Sequence, residues 1–201
     1  AISSFSNKDI ELSSSNLLDK LISAIIIEDI DLAYKIASEI LLKDDKNQEA
    51  YIVKLAYLYS NKKFKKIKEI HQILKDENEL VDFIFFNSNE LKDDETISKS
   101  LLDIVVSSFS STEQNSLNYN FLLFYTSIAK IIDNTNDRAT LIKGELFQNV
   151  EQLKVAEQTF LKIKPSSRYY LEAQRSLAIN YSNSLSYDEA LKKIKILLQN
   201  N

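Results

Sequence analysis

Leu141-Ile-Lys-Gly-Glu-Leu-Phe147 is followed by Leu153-Lys-Val-Ala-Glu-Gln-Thr-Phe160 and a break at Pro165. The pattern then returns as Leu177-Ala-Ile-Asn-Tyr181 and Tyr187-Asp-Glu-Ala190-Leu-Lys-Lys-Ile194. Small residues keep one spacing, since Gly144 to Ala178 and Ala156 to Ala190 are both 34 residues apart. Bulky residues keep it too, from Phe147 to Tyr181 and from Leu153 to Tyr187. A fixed period of this length, carried by two apolar segments per unit, is the mark of a repeat of helix pairs.

Toward the N-terminus the same period is present. Leu17 and Tyr51, Ile30 and Phe64, Ala33 and Ile67, and Ile40 and Leu74 are each 34 apart. Ser15 or Asn16 is expected to cap a first helix. That helix carries Leu17, Leu18, Leu21, Ile22, Ala24, Ile25, Ile26 and Ile27, apolar nearly all round, so it is expected to be covered on more than one side. A second helix is expected from Ile30 to about Leu42, and a second pair from about Gln48 to Lys75, turning at Ser60-Asn61-Lys62. The middle is irregular, with helical pieces expected at 78–87, 95–109 and 117–132, and a loop-like Ser/Thr/Asn stretch from Ser107 to Asn118. Leu55 and Gly144 hold the same slot in their units but are 89 residues apart, which is not a multiple of 34. The array is therefore interrupted. The expected organisation is a polar lead-in at 1–14, units at about 15–47, 48–81, 137–170 and 171–201, and a helical insert at about 82–136.

Composition sets the limits on function. One Gly and one Pro in 201 residues leave few places to break a helix. Twenty-five basic side chains against 29 acids give a net charge of −4, which weighs against a general binder of nucleic acid or anionic membranes. The absence of Cys rules out disulfides, thiolate metal sites and Cys nucleophiles. With a single His, a His-based zinc site cannot be assembled within the chain. One Gly does not make a phosphate-cradling loop. No cofactor and no metal are expected, and no enzyme activity. No apolar run reaches the ~18 residues that cross a bilayer. The first 15 residues lack a secretory signal's basic and apolar regions. The chain has no Met, even at position 1, as in a processed protein or a cut piece, and the compartment stays open between cytoplasm and periplasm.

The paired units resemble the tetratricopeptide family. In that family a small residue midway along the first helix lets the second approach, an aromatic follows, and Pro often closes the unit. Gly144, Phe147, Ala156, Phe160 and Pro165 fit one unit, and Ala178, Tyr181, Tyr187 and Ala190 the next. The first two units depart from the pattern, with Leu21 and Leu55 at the small-residue slot and Ile67 in place of Ala. The resemblance covers about two thirds of the chain. More narrowly, Gly-Glu-Leu, Ala-Glu-x-x-Phe, Lys-Ile-Lys-Pro-Ser-Ser and Glu-Ala-Gln are similar to large bacterial tetratricopeptide proteins of alphaproteobacteria.

The resemblance implies an all-α, right-handed solenoid of helical hairpins with an irregular middle, used as a protein-binding scaffold. It implies a concave groove lined by Leu18, Ile22, Ile25, Ile52, Ala56, Tyr59, Arg138, Glu145, Arg175 and Ile179, apolar at one end and polar at the other. Such a groove suits an amphipathic helix or an extended peptide of a partner protein. Equally, the apolar end is filled by the chain's own N-terminal segment or middle helices. Leu18, Ile22, Ile52 and Ala56 stand where chaperone-tail adaptors of the family carry Lys and Asn, which argues against that role. The last helix offers Leu191, Ile194, Leu197 and Leu198 as a strip for association, so a homo-oligomer or a larger complex is the second reading. Lys62, Lys63, Lys65, Lys66 and Lys68 form a basic cluster that suits RNA, an anionic lipid surface or an acidic partner, although such a run is more often a solvated face. Nucleic acid is the least favoured partner. His71 falls on a second helix and reads as a packed residue.

Overall fold

The computed structural model describes residues 14–74, 78–88, 90–111, 118–184 and 186–199. The lead-in expected at 1–14 lies outside them, apart from Ser14, which opens the first helix. Ser15 and Asn16 stand inside that helix and not ahead of it.

The protein is all-α. Helices α1 (Ser14–Ile26) and α2 (Ile30–Lys43) form a first pair, and α3 (Gln48–Ser60) and α4 (Phe64–Leu74) a second. A short α5 (Glu79–Phe85) leads into a two-residue ribbon, β1 (Phe86–Asn87) against β2 (Glu90–Leu91), antiparallel with Phe86 opposite Leu91. Then come α6 (Asp94–Ser111), α7 (Tyr119–Ile132), α8 (Asp137–Asn149), α9 (Leu153–Phe160), α10 (Tyr170–Ser184) and α11 (Tyr187–Gln199).

The 34-residue spacing is visible in the elements. Ile30 and Phe64 are the first residues of α2 and α4, and Leu153 and Tyr187 the first of α9 and α11. Ala33 and Ile67, Ile40 and Leu74, Phe147 and Tyr181, and Ala156 and Ala190 are buried pair by pair. Identical slots are buried because each falls on the apolar stripe of its helix that faces the core.

Helices start on side-chain caps. Asp29, Asn47, Asn78, Asn118 and Asn136 each accept a hydrogen bond from a backbone N–H in the first turn of the helix that follows, at 3.0–3.2 Å. Three helices end on a left-handed residue that is not glycine. Glu28, Lys62 and Glu151 take φ of 65°, 55° and 59°, the left-handed conformation. At each, the next residue's N–H reaches back to the carbonyl five residues earlier: Asp29 to Ala24, Lys63 to Leu58 and Gln152 to Phe147. This is a Schellman ending made with charged residues.

The middle differs from its sequence reading in two ways. Helix α6 runs on to Ser111, into the start of the stretch expected to be loop, whose residues 112–117 lie outside the described ones. Ser107 and Ser108 donate back to the Ile104 carbonyl at 2.9 and 2.8 Å, which lets the helix accommodate them. The ribbon was not anticipated, because two residues per strand carry no readable period.

Helix α7, inside the expected insert, is the most deeply packed element. Every residue from Leu122 to Ala129 is buried. It packs against α6 and α8 beside it in sequence and also against α1 and α3. Helix α1 is thereby covered by α2 on one side and α7 on another, as its all-round apolar sequence requires.

Candidate partner-binding surface

The ten residues expected to line one groove divide into two sets. Ile25, Ile52 and Ala56 are fully buried, and Leu18 and Ile22 are half-buried against the same core. These lie on α1 and α3, the helices that α7 packs against. Three of the five apolar residues expected in the groove are therefore core, and Leu18 and Ile22 keep part of their surface. Tyr59 is also half-buried: its hydroxyl donates to the Lys92 carbonyl at 3.3 Å and its ring meets Phe64 edge-on at 5.5 Å. Burial, with Asp94 and Asp93 nearby, holds its pKa above the ordinary tyrosine value.

The other four residues reach the surface on neighbouring helices. Arg138 and Glu145 lie on α8, half-buried, and Arg175 and Ile179 lie on α10, exposed. The two helices touch. Glu145 has its pKa raised by burial and then by the like charge of Glu172 on α10. Leu171, also on α10, is 71% exposed, one turn before Arg175. The surface thus alternates charges of both signs with uncovered apolar side chains.

Arg138 also lines a surface cleft of about 590 Å³. Its walls are the start of α6 (Asp94, Glu95, Lys99), the α7–α8 turn (Asp133 to Arg138) and the segment before α10 (Ser167 to Tyr169). A polar relay holds the α7–α8 turn. The Asn136 side-chain amide donates to Ser98 Oγ at 2.9 Å, and Ser98 Oγ donates to the Ala129 carbonyl at 3.0 Å. Asn136 meanwhile caps α8, so one side chain sets both the cleft wall and the helix start. The cleft is rich in carboxylates, guanidiniums and hydroxyls.

Sequence reading missed the contact that joins the two ends of the chain. Lys143 of α8 is 5% exposed. Its ammonium donates to the Ile26 carbonyl at 2.9 Å and to Glu28 Oε1 at 2.6 Å. The cation therefore sits at the C-terminus of α1, where unpaired carbonyls and the helix dipole favour it. Burial pulls the Lys143 pKa down and Glu28 partly restores it. Burial alone would raise Glu28, but the hydrogen bond and charge of Lys143, helped by Lys162 and Lys130, hold it below the ordinary value. A signal was present: Lys143 occupies an inward slot beside Gly144 and four positions before Phe147, where an apolar residue is the rule.

The last helix keeps its expected strip only in part. Leu191 is exposed, whereas Ile194 and Leu197 are half-buried against the core. Ile196, which the strip omitted, is 48% exposed, and the Leu198 side chain lies outside the described ones. Lys193 bonds Glu157 at 2.6 Å and lies 4.4 Å over the Tyr181 ring, while the Tyr181 hydroxyl donates to Glu157 at 3.1 Å. Burial and then Glu157 push Tyr181 up to about 12. This set ties α9, α10 and α11 together. His71 is buried, stacked on Phe86 at 3.6 Å, and its Nε2 lies 2.7 Å from Asp82 Oδ1, joining α4 to α5.

Among the described residues no cluster of His, Cys, Asp or Glu is arranged to hold a metal ion, and no helix is long and apolar enough to cross a membrane. No family model, no curated protein and no solved structure matches this chain.

Proposed function

We propose that the protein is a non-enzymatic scaffold of tetratricopeptide-like hairpins, stacked as a right-handed solenoid, that binds a peptide or helix of a partner protein. The binding face is the one shared by α8 and α10. The observation that carries this reading is the division of the groove residues. Ile25, Ile52 and Ala56 are fully buried, while Arg138, Glu145, Arg175 and Ile179 keep surface within reach of solvent. A ligand fitting that face carries both charges and an apolar anchor, the anchor meeting Ile179 and Leu171.

The test is cross-linked capture from the protein's own cells, comparing the wild type with Arg175→Glu/Ile179→Asp. Both side chains are exposed, so helicity and melting are expected to stay near wild type. A foreign protein captured by the wild type and lost in the variant is the expected result. Equal capture by both would overturn the α8–α10 assignment. Recovery of the chain with only itself would overturn it in favour of assembly through α11, where Leu191 and Ile196 are uncovered.

A further inference from the structure

Helix α4 turns Ile67, His71 and Leu74 inward and leaves Lys65, Lys66 and Lys68 exposed, with Lys62 and Lys63 exposed on the turn before it. Among the described residues, none of the five takes part in an ion pair, although the chain has more acids than bases. Lys63 meets only a ring, at 5.6 Å from the centre of Tyr57. The cations crowd the N-terminal end of a helix, where the backbone dipole opposes positive charge. Uncovered apolar side chains accompany them. Phe64 is 42% exposed at the helix start, and Ile73, 74% exposed, lies two turns beyond Lys66 on the same side. Glu69 is the one acid among the described residues of α4.

We infer that this face of α4 docks on an anionic lipid surface. All five cations are lysines, compact and strongly hydrated point charges, and a cluster of four to eight beside apolar side chains is the pattern that anionic headgroups attract. Protein interfaces are depleted in lysine. Readers of nucleic acid use arginine forks and several stacking rings, and this face has no arginine and one partly exposed ring. The net charge of −4 does not oppose the contact, because fields fade over about 8 Å at physiological salt and the local patch decides. Ile73 would enter the headgroup layer beside Lys66 while the lysines meet phosphates and carboxylates, and Phe64, half a turn around the helix from Ile73, stays at the flank.

The test is co-sedimentation of the whole chain with vesicles of phosphatidylcholine alone or mixed with phosphatidylserine. Pelleting is expected only with the mixed vesicles and is expected to fall as salt rises. Each of Lys65→Gln, Lys66→Gln and Lys68→Gln should weaken partitioning about fivefold. Ile73→Ser should weaken it without changing the salt dependence. No pelleting with phosphatidylserine, or undiminished pelleting of the triple Gln variant, would overturn the inference. So would a single-stranded RNA that competes the protein off the vesicles and binds it more tightly, which would hand the face to nucleic acid.

Discussion

Gly144 shows how one residue sets the distance between two helices. A Cβ at this position would lie less than 3.0 Å from three ring carbons of Phe160, which is fully buried on α9. Two effects oppose each other in Gly144→Ala. Alanine favours a helix interior by about 1 kcal/mol, while overpacking a closed core costs roughly 1–3 kcal/mol. The ring has no exposed side to move into, so overpacking wins and the variant is expected to lose about 1 kcal/mol. Urea unfolding of Gly144→Ala, alone and combined with Phe160→Leu, tests this. The shorter Leu should turn the penalty into a small gain, and a stabilised single variant would contradict the close-contact account. The sequence already marked Gly144 as a place of close approach, because the chain's lone glycine fell at the small-residue slot of the repeat.

The helix endings explain how a chain with one glycine makes so many turns. Glu28 and Lys62, 34 residues apart, end α1 and α3 in the same left-handed conformation. A side chain there costs about 1–2 kcal/mol, less what the residue saves in the unfolded state over glycine. Glu151, exposed after α8, has no other duty among the described contacts. Glu151→Gly is therefore expected to stabilise by about 0.5–1 kcal/mol, read as a raised denaturant midpoint with an unchanged slope. Glu28→Gly should not, since its carboxylate holds Lys143. Equal gains at both positions would show that the ion pair contributes nothing. Periodicity placed the helices to within about two residues and the turn at Ser60-Asn61-Lys62, but the left-handed backbone of these endings was not legible, because no glycine announced it.

For the molecule as a whole, α7 and the Lys143–Glu28 pair bring distant parts of the chain together. Glu28→Gln removes the negative charge beside a buried ammonium and leaves it neutral acceptors such as the Ile26 carbonyl. Breaking a buried pair costs roughly 3–5 kcal/mol, and the Glu28 side chain is 38% exposed, so about 2 kcal/mol is expected. Lys143→Met removes the charge together with its desolvation and should cost less. The pair also sets a pH dependence. Glu28 is depressed in the folded state, so its contribution is complete above the ordinary value of 4.5 and is lost as pH falls through the folded-state value. Lys143 is depressed as well, so the unfolded chain binds its proton more tightly, and that contribution rises as pH climbs toward 10.5. Unfolding midpoints of wild type and Glu28→Gln should converge in acid. A gap of constant size across pH would separate Glu28 from the acid response.

Local periodicity settled the all-α class, the two pairs at each end and the inward slots, because a helix's buried stripe is written in residues three and four apart. It also placed Arg138, Glu145, Arg175 and Ile179 on first helices. The tertiary structure alone decided that Ile25, Ile52 and Ala56 are core and not groove. It alone decided that Lys143 meets Glu28 across 115 residues and that the cleft beside Arg138 is built from three separate segments. Apolar side chains look the same in sequence whether a ligand or the chain's own α7 covers them. Which of these happens depends on contacts between residues far apart, and no local pattern encodes those.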